Sequence, residues 1–143
     1  MNKNKKNYLG IDWGESKIGI SFSDCETRMA FSYTILKNDK NIIKNIAGIV
    51  RKKNIGAIII GVPFYNFKNG KFGGEKLGKK IKKIFGDKVK IFYQNEIFST
   101  KTAQKNLIEK NSKDIKNDDS EAARIILESW FESDKNNEKQ TSS

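Results

Sequence analysis

The sequence predicts a single α/β domain in which a mixed sheet is covered by helices on both faces. Three observations carry that expectation. Strand-like and helix-like segments follow one another in the order βββαβαβαα, the alternation of an α/β domain. One internal run, GAIIIG at 56–61, is apolar without alternation, as a strand buried on both faces must be. The length, 143 residues, suits one core and leaves little room for a second.

Each element has its own signal. Residues 8–12, 17–23 and 28–36 read as strands separated by short turns, so the chain opens as a three-stranded meander. Ile42, Ile43, Ile46, Ala47, Ile49 and Val50 recur at helical spacing, giving an amphipathic helix over about 39–53. The strand at 56–61 follows, then a glycine- and aromatic-rich loop at 62–73 that holds the only proline, Pro63. A second helix places Leu77, Ile81, Ile84 and Phe85 on one face and crowds lysines on the rest. Residues 88–93 form a fifth strand, and helices at about 100–110 and 118–132 complete the set. The polar, aperiodic ends give boundaries of 1–6 for a disordered basic N-terminus, 7–133 for the domain and 134–143 for a disordered tail.

Composition narrows the chemistry. There is no histidine and a single cysteine, Cys25, which excludes imidazole catalysis, cysteine-based metal sites and any internal disulfide. What remains is carboxylate, hydroxyl and amine chemistry, or a metal held by oxygen. Lys and Arg outnumber Asp and Glu by 28 to 17, for a formal charge of +11. That excess favours a polyanionic partner, because every neutralised phosphate releases counterions. Only Arg28, Arg51 and Arg124 are arginines, and a Lys-, Asn- and Ile-heavy composition accounts for part of the charge. The N-terminus lacks the apolar stretch of a signal peptide, and the run at 55–63 is too short to span a bilayer. A cytoplasmic location is expected.

Function in such a sheet gathers at the carboxyl ends of the parallel strands. Asp12 ends the first strand within GIDWG, where Gly10 and Gly14 allow close approach of other atoms; alone, it reads equally well as a turn residue. Glu96 falls just after the fifth strand, in FYQNEIFST, where an ordinary loop glutamate is the competing reading. Asp119 opens the last helix and shares a stripe with Ala122, Ala123, Ile126 and Trp130. An inward carboxylate costs several kcal/mol unless its charge is compensated, by the helix start in part or by a bound cation. Together the three form an all-oxygen set suited to Mg²⁺ or Mn²⁺, and two such ions can hydrolyse a phosphodiester without histidine.

Four segments, GIDWGESKIGISFSD, IIIGVPFYNFKNG, QNEIFSTKTA and DDSEAARIILESWF, resemble in order and spacing the signatures of the YqgF family, over residues 7–132. That family comprises pre-16S ribosomal RNA nucleases related to Holliday-junction resolvases. The resemblance implies an RNase H-like fold, here a five-stranded mixed sheet flanked by helices. It also implies an endonuclease that matures the 5′ end of 16S rRNA in ribosome biogenesis. The family's acidic positions fall on Asp12, Glu96 and Asp119, which the resemblance makes both catalytic and metal-binding. The chain departs from the family at Asn95 and Ile97, where an Asp and an Arg are usual around Glu96, and at Ser16-Lys17, which leaves one basic residue of a frequent pair. The loop after Pro63 is also longer than usual before Asn69-Gly70.

Several residues are placed to meet a nucleic acid. Lys17 can reach a phosphate or be a solvated strand-end lysine. Ser99 and Thr100 can contact phosphate or cap a helix. The loop carrying Lys68 and Lys71 interleaves cations with aromatics, a combination that stacks bases and holds backbone. Lys79, Lys80 and Lys83 on the second helix extend that track or form a solvated face. The expected partner is nucleic acid, pre-rRNA before branched DNA, with no membrane and a monomer or weak homodimer. Three other readings stay open. A resolvase-like DNA nuclease shares the chemistry, and a non-catalytic RNA-binding ribosome-assembly factor would share the fold. An actin-like ATPase shares the GIDWG pattern, but this chain is too short for two lobes.

Overall fold

The computed structural model describes residues 5–62, 73–95 and 118–141, with Asn95, Asp118, Asp119 and 134–141 described as backbone. Within them lie β1 (Asn7–Asp12), β2 (Lys17–Ser23), β3 (Ala30–Lys37), α1 (Ile42–Lys52), β4 (Ile55–Val62), α2 (Gly73–Phe85), a 3₁₀ turn (Gly86–Lys88), β5 (Lys90–Asn95) and α3 (Asp118–Thr141). The helix expected at 100–110 and most of the loop at 62–73 lie outside the described residues.

The sheet is five-stranded and mixed, in the order β3-β2-β1-β4-β5. The opening meander is antiparallel, while β4 pairs parallel to β1 and β5 parallel to β4. Parallel neighbours need a crossover between them, and α1 and α2 supply it. Both pack on one face, where Ile42, Ile46, Val50, Leu77 and Ile81 join Leu9, Ile11, Ile18, Ile20, Ile58 and Ile60. The other face is covered by α3, with Ile126, Leu127 and Phe131 against Ala57 and Ile59. Ile58, Ile59 and Ile60 are fully buried on alternate faces, which is why GAIIIG shows no alternation.

Three differences from expectation have physical reasons. The strand expected to start at 88 begins at Lys90, because Gly86, in the left-handed region at φ 58°, turns the end of α2 into a 3₁₀ turn first. The helix expected to end near 132 stays helical to Thr141, since neither Gly nor Pro interrupts the chain after Asp118. That places 134–141, expected as part of a disordered tail, in helical backbone. At the start of the edge strand β3, Phe31 and Tyr33 are exposed, as is Met29 just before it.

Candidate functional site

The alternation of β1 fixes where Asp12 stands. Leu9 and Ile11 enter the core beneath α1 and α2, so Tyr8, Gly10 and Asp12 belong to the face covered by α3. Register then places Asp12 in a row across the carboxyl ends of the parallel strands. Asp12 pairs with Gly19 on one side and Gly61 on the other, and Gly61 pairs with Gln94. Asp12 is thus flanked in the sheet by two residues without Cβ.

The packing of α3 brings its start to the same level. A Cβ on Gly10 would lie 2.2 Å from Ser21 Oγ, 2.8 Å from the Ala123 carbonyl and 3.2 Å from Leu127 Cβ, so the helix backbone rests directly on the strand there. The buried Ser21 hydroxyl donates to the Ala123 carbonyl at 2.7 Å and fixes that seat. At its far end α3 packs Trp130 and Phe131 against Tyr8, so it runs antiparallel to β1. From Ala123 back to position 119 is about 6 Å along a helix, and from Gly10 to Asp12 is about 7 Å along a strand. The backbone of residue 119 and Asp12 therefore come level at the carboxyl end of the sheet. Arg124 is occupied within α3 by Glu121 and Glu128, which hold its guanidinium firmly protonated, and Glu121 also accepts from Ser32 Oγ at 3.1 Å.

The turn after Asp12 is held from the other side. Trp13 packs into the α1/α2 core, and its indole covers Gly73 so closely that a Cβ there would lie 2.0 Å from Cζ2. Gly14 is required because a Cβ would fall 2.5 Å from the Lys17 carbonyl. Asn38 closes the turn by donating its side-chain amide to the Gly14 carbonyl at 2.7 Å and its backbone N–H to the Ser16 carbonyl at 2.8 Å.

Of the residues singled out from sequence, Asp12 and Lys17 share this face. Lys17 is exposed, two residues before Gly19, the strand partner of Asp12. Lys79, Lys80 and Lys83 are exposed on α2, which covers the opposite face, and the structure does not bring them to Asp12. Glu96, Ser99, Thr100, Lys68 and Lys71 lie outside the described residues, and Asp119 is described as backbone. Among the described residues no three potential metal ligands cluster. Sequence reading missed Gln94, which is buried at 8% exposure in the same row as Asp12. Its signal was available, because Gln94 is two residues from Phe92, an α3-side core residue.

The chain matches over residues 6–133 the family model described as RuvX, Holliday junction resolvase. A protein of Caldanaerobacter subterraneus subsp. tengcongensis named "Putative pre-16S rRNA nuclease" is 31% identical over 90% of this chain and 97% of its own. One of the same name from Orientia tsutsugamushi is 36% identical over 87% and 82%. Among solved structures, the fowlpox virus resolvase with Holliday junction DNA aligns at a TM-score of 0.59 and 18% identity, covering 89% of this chain and 97% of that one. Thermus thermophilus RuvC with a Holliday junction substrate aligns at 0.58 and 11%, covering 88% and 96%. At those identities the likeness establishes the fold, which is RNase H-like as expected. No helix among the described residues is long and apolar enough to cross a membrane.

Proposed function

Because this chain belongs to the RuvX family of Holliday junction resolvases, we propose that it is a metal-dependent endonuclease whose task is 5′-end maturation of 16S ribosomal RNA. The observation that carries the reading is the level placement of Asp12 and the start of α3, on one face at the carboxyl ends of β1, β4 and β5. Asp12, Glu96 and Asp119 would hold Mg²⁺ or Mn²⁺, and the all-oxygen donor set fits those ions in a chain without histidine. A metal bound there would supply Lewis-acid stabilisation of charge developing on the phosphodiester.

The chain's own groups do the rest. Water adds to phosphorus as the bond to the leaving sugar oxygen breaks, the water gives up a proton to solvent and the leaving oxygen takes one from it, and Lys17 would pair with a phosphate near Asp12. The Gln94 amide would offer a donor and an acceptor in the same row as Gly19 and Gly61, which carry no side chain to obstruct a phosphate backbone. The substitution of Ile97 for the family's arginine places more of the phosphate positioning on Lys17.

The experiment is cleavage of labelled precursor 16S rRNA with Mg²⁺ or Mn²⁺, comparing wild type, Asp12→Asn and EDTA. Specific cutting that disappears in both controls is expected. Cutting by Asp12→Asn at the wild-type rate would refute the site. Cutting confined to a labelled four-way DNA junction would move the substrate to branched DNA, the molecule bound by the two resolvases of similar fold. Binding without cutting of either would favour an assembly factor.

A further inference from the structure

A second cationic feature lies at the opposite end of the sheet. A cavity of about 530 Å³ opens between the C-terminal ends of α1 and α2, at the amino ends of β4 and β5. Its floor is apolar, built from the buried Val50, Ile55 and Val89. Its rim carries Lys6, Arg51, Lys83 and Lys88, and among the described residues no carboxylate lines it. The adjoining cavity on the α3 side of the sheet shares Lys6 and Lys88, adds Lys90 and, among the described residues, contains one carboxylate, Asp87.

Cations at helix C-termini offset the helix dipole, which accounts for Arg51 and Lys83. It does not account for Lys6, which precedes β1, or Lys88 in the 3₁₀ turn. Four like charges around one cleft repel one another unless an anion enters. Two of them are also held in place. The Lys6 stem crosses Gly56 so closely that a Cβ there would lie 2.4 Å from Lys6 Cβ, and the Arg51 guanidinium stacks over the Phe85 ring at 5.3 Å. The rim itself is latched. Asn54 Nδ2 donates to the Lys5 carbonyl at 2.9 Å, the Asn7 N–H donates to the Asn54 carbonyl at 2.9 Å, and Asn7 Nδ2 donates to the Lys53 carbonyl at 2.8 Å.

We propose that this cleft is a second phosphate-binding site, which grips the nucleic-acid backbone away from the point of cleavage. Strands of six to eight residues separate it from Asp12 by about 20 Å, so it engages a different stretch of the same substrate. The choice of ligand rests on the nuclease reading; the binding itself does not require cleavage.

The test is binding of a fluorescein-labelled RNA hairpin in EDTA, read as the slope of log Kd against log salt. Arg51→Ala/Lys83→Ala/Lys88→Ala should flatten the slope by about two to three units and weaken low-salt binding at least tenfold. Lys40→Ala/Lys44→Ala/Lys76→Ala removes the same charge from exposed positions outside the cleft and should change the slope by less than about one unit. Should the first variant melt early, Lys88→Glu alone, in an exposed turn, should weaken binding more than Lys88→Ala. Equal flattening by both triple variants would reduce the effect to net charge and overturn the proposal, as would an unchanged slope in the first. Displacement of the hairpin by micromolar AMP would assign the cleft to a free nucleotide and also overturn it. Loss of cleavage activity with these slopes intact would count against the nuclease reading alone.

Discussion

Gly10→Ala should loosen the seat of α3 and damage the site without touching it. The added methyl would lie 2.2 Å from Ser21 Oγ and 2.8 Å from the Ala123 carbonyl. Against ordinary van der Waals contact those gaps are short by about 1 Å and about half an ångström. Ser21 can rotate away, but only by giving up its 2.7 Å bond to Ala123, which leaves a buried hydroxyl unpaired at a cost of about 1–3 kcal/mol. The Ala123 carbonyl is main chain inside a helix and cannot swing aside, so α3 must lift, an overpacking cost of about 1–3 kcal/mol. The sum, about 2–6 kcal/mol, corresponds to a fall in Tm of roughly 5–25 °C for a domain of this size. Lifting α3 also parts residue 119 from Asp12, and about 1 Å of misplacement at such a site costs on the order of 100-fold in rate. Thermal melts and single-turnover cleavage at a temperature where the variant stays folded would separate the two effects. Gly48 is the matched control, because a Cβ there meets nothing within 4 Å on the solvent side of α1. Gly48→Ala should gain up to about 1 kcal/mol and leave cleavage unchanged. If Gly10→Ala melted within 2 °C of wild type and cut at its rate, the close seating of α3 would be wrong.

Three further outcomes follow from other parts of the molecule. Arg28 sits in left-handed backbone at φ 54° with its guanidinium about 6 Å from the Tyr8 and Phe131 rings. Arg28→Ala loses the stacking and keeps the strain, whereas Arg28→Gly loses the stacking and relieves it. The glycine variant should be the more stable by about 1 kcal/mol in urea titration, and the reverse order would contradict the strain. Burial, and then the nearby Glu75 carboxylate, raises the Tyr93 phenol above its usual value near 10. The folded state therefore keeps a proton that the unfolded chain releases, so this contribution is intact below pH 10 and is lost as pH rises through the folded value. Stability of wild type relative to Tyr93→Phe should be flat at neutral pH and fall above pH 10; parallel curves would dismiss the shift. Finally, Mg²⁺ should raise the Tm of wild type and not of Asp12→Asn, because only a ligand that binds the folded site stabilises it; equal rises would move metal binding away from Asp12.

The fold was largely legible because its signals are physical consequences of layering. GAIIIG could only be a strand covered on both faces, and the spacing of Ile42, Ile46 and Val50 could only serve a helix with one buried side. What periodicity cannot fix is which helix covers which face. Both crossover helices lie on the side away from Asp12, so the lysines of α2 were readable as a charged stripe and not as residues of the opposite layer. The end of α3 was misjudged for a related reason. Its apolar stripe stops at Phe131, but a helix continues past its packed face wherever no breaker stops it.

The site divides in the same way. Asp12 was visible as an acidic residue at a strand end, because chemistry concentrates where parallel strands stop. Its neighbours Gly19, Gly61 and Gln94 were not, because strand order and register, which no single segment encodes, place them side by side. The same holds for Gly10 and Ser21. In sequence they are a turn-prone residue and a polar residue in a strand; in the sheet they let a helix backbone descend onto β1. A nuclease without histidine depends on carboxylates held a few ångströms apart, and carboxylates repel until a cation joins them. If Asp12, Glu96 and Asp119 form such a set, the tight contact between strand and helix two residues below Asp12 would hold the start of α3 beside it. Gly10 and Ser21 would then matter to the site as much as the aspartate, because they fix where the start of α3 lies relative to it.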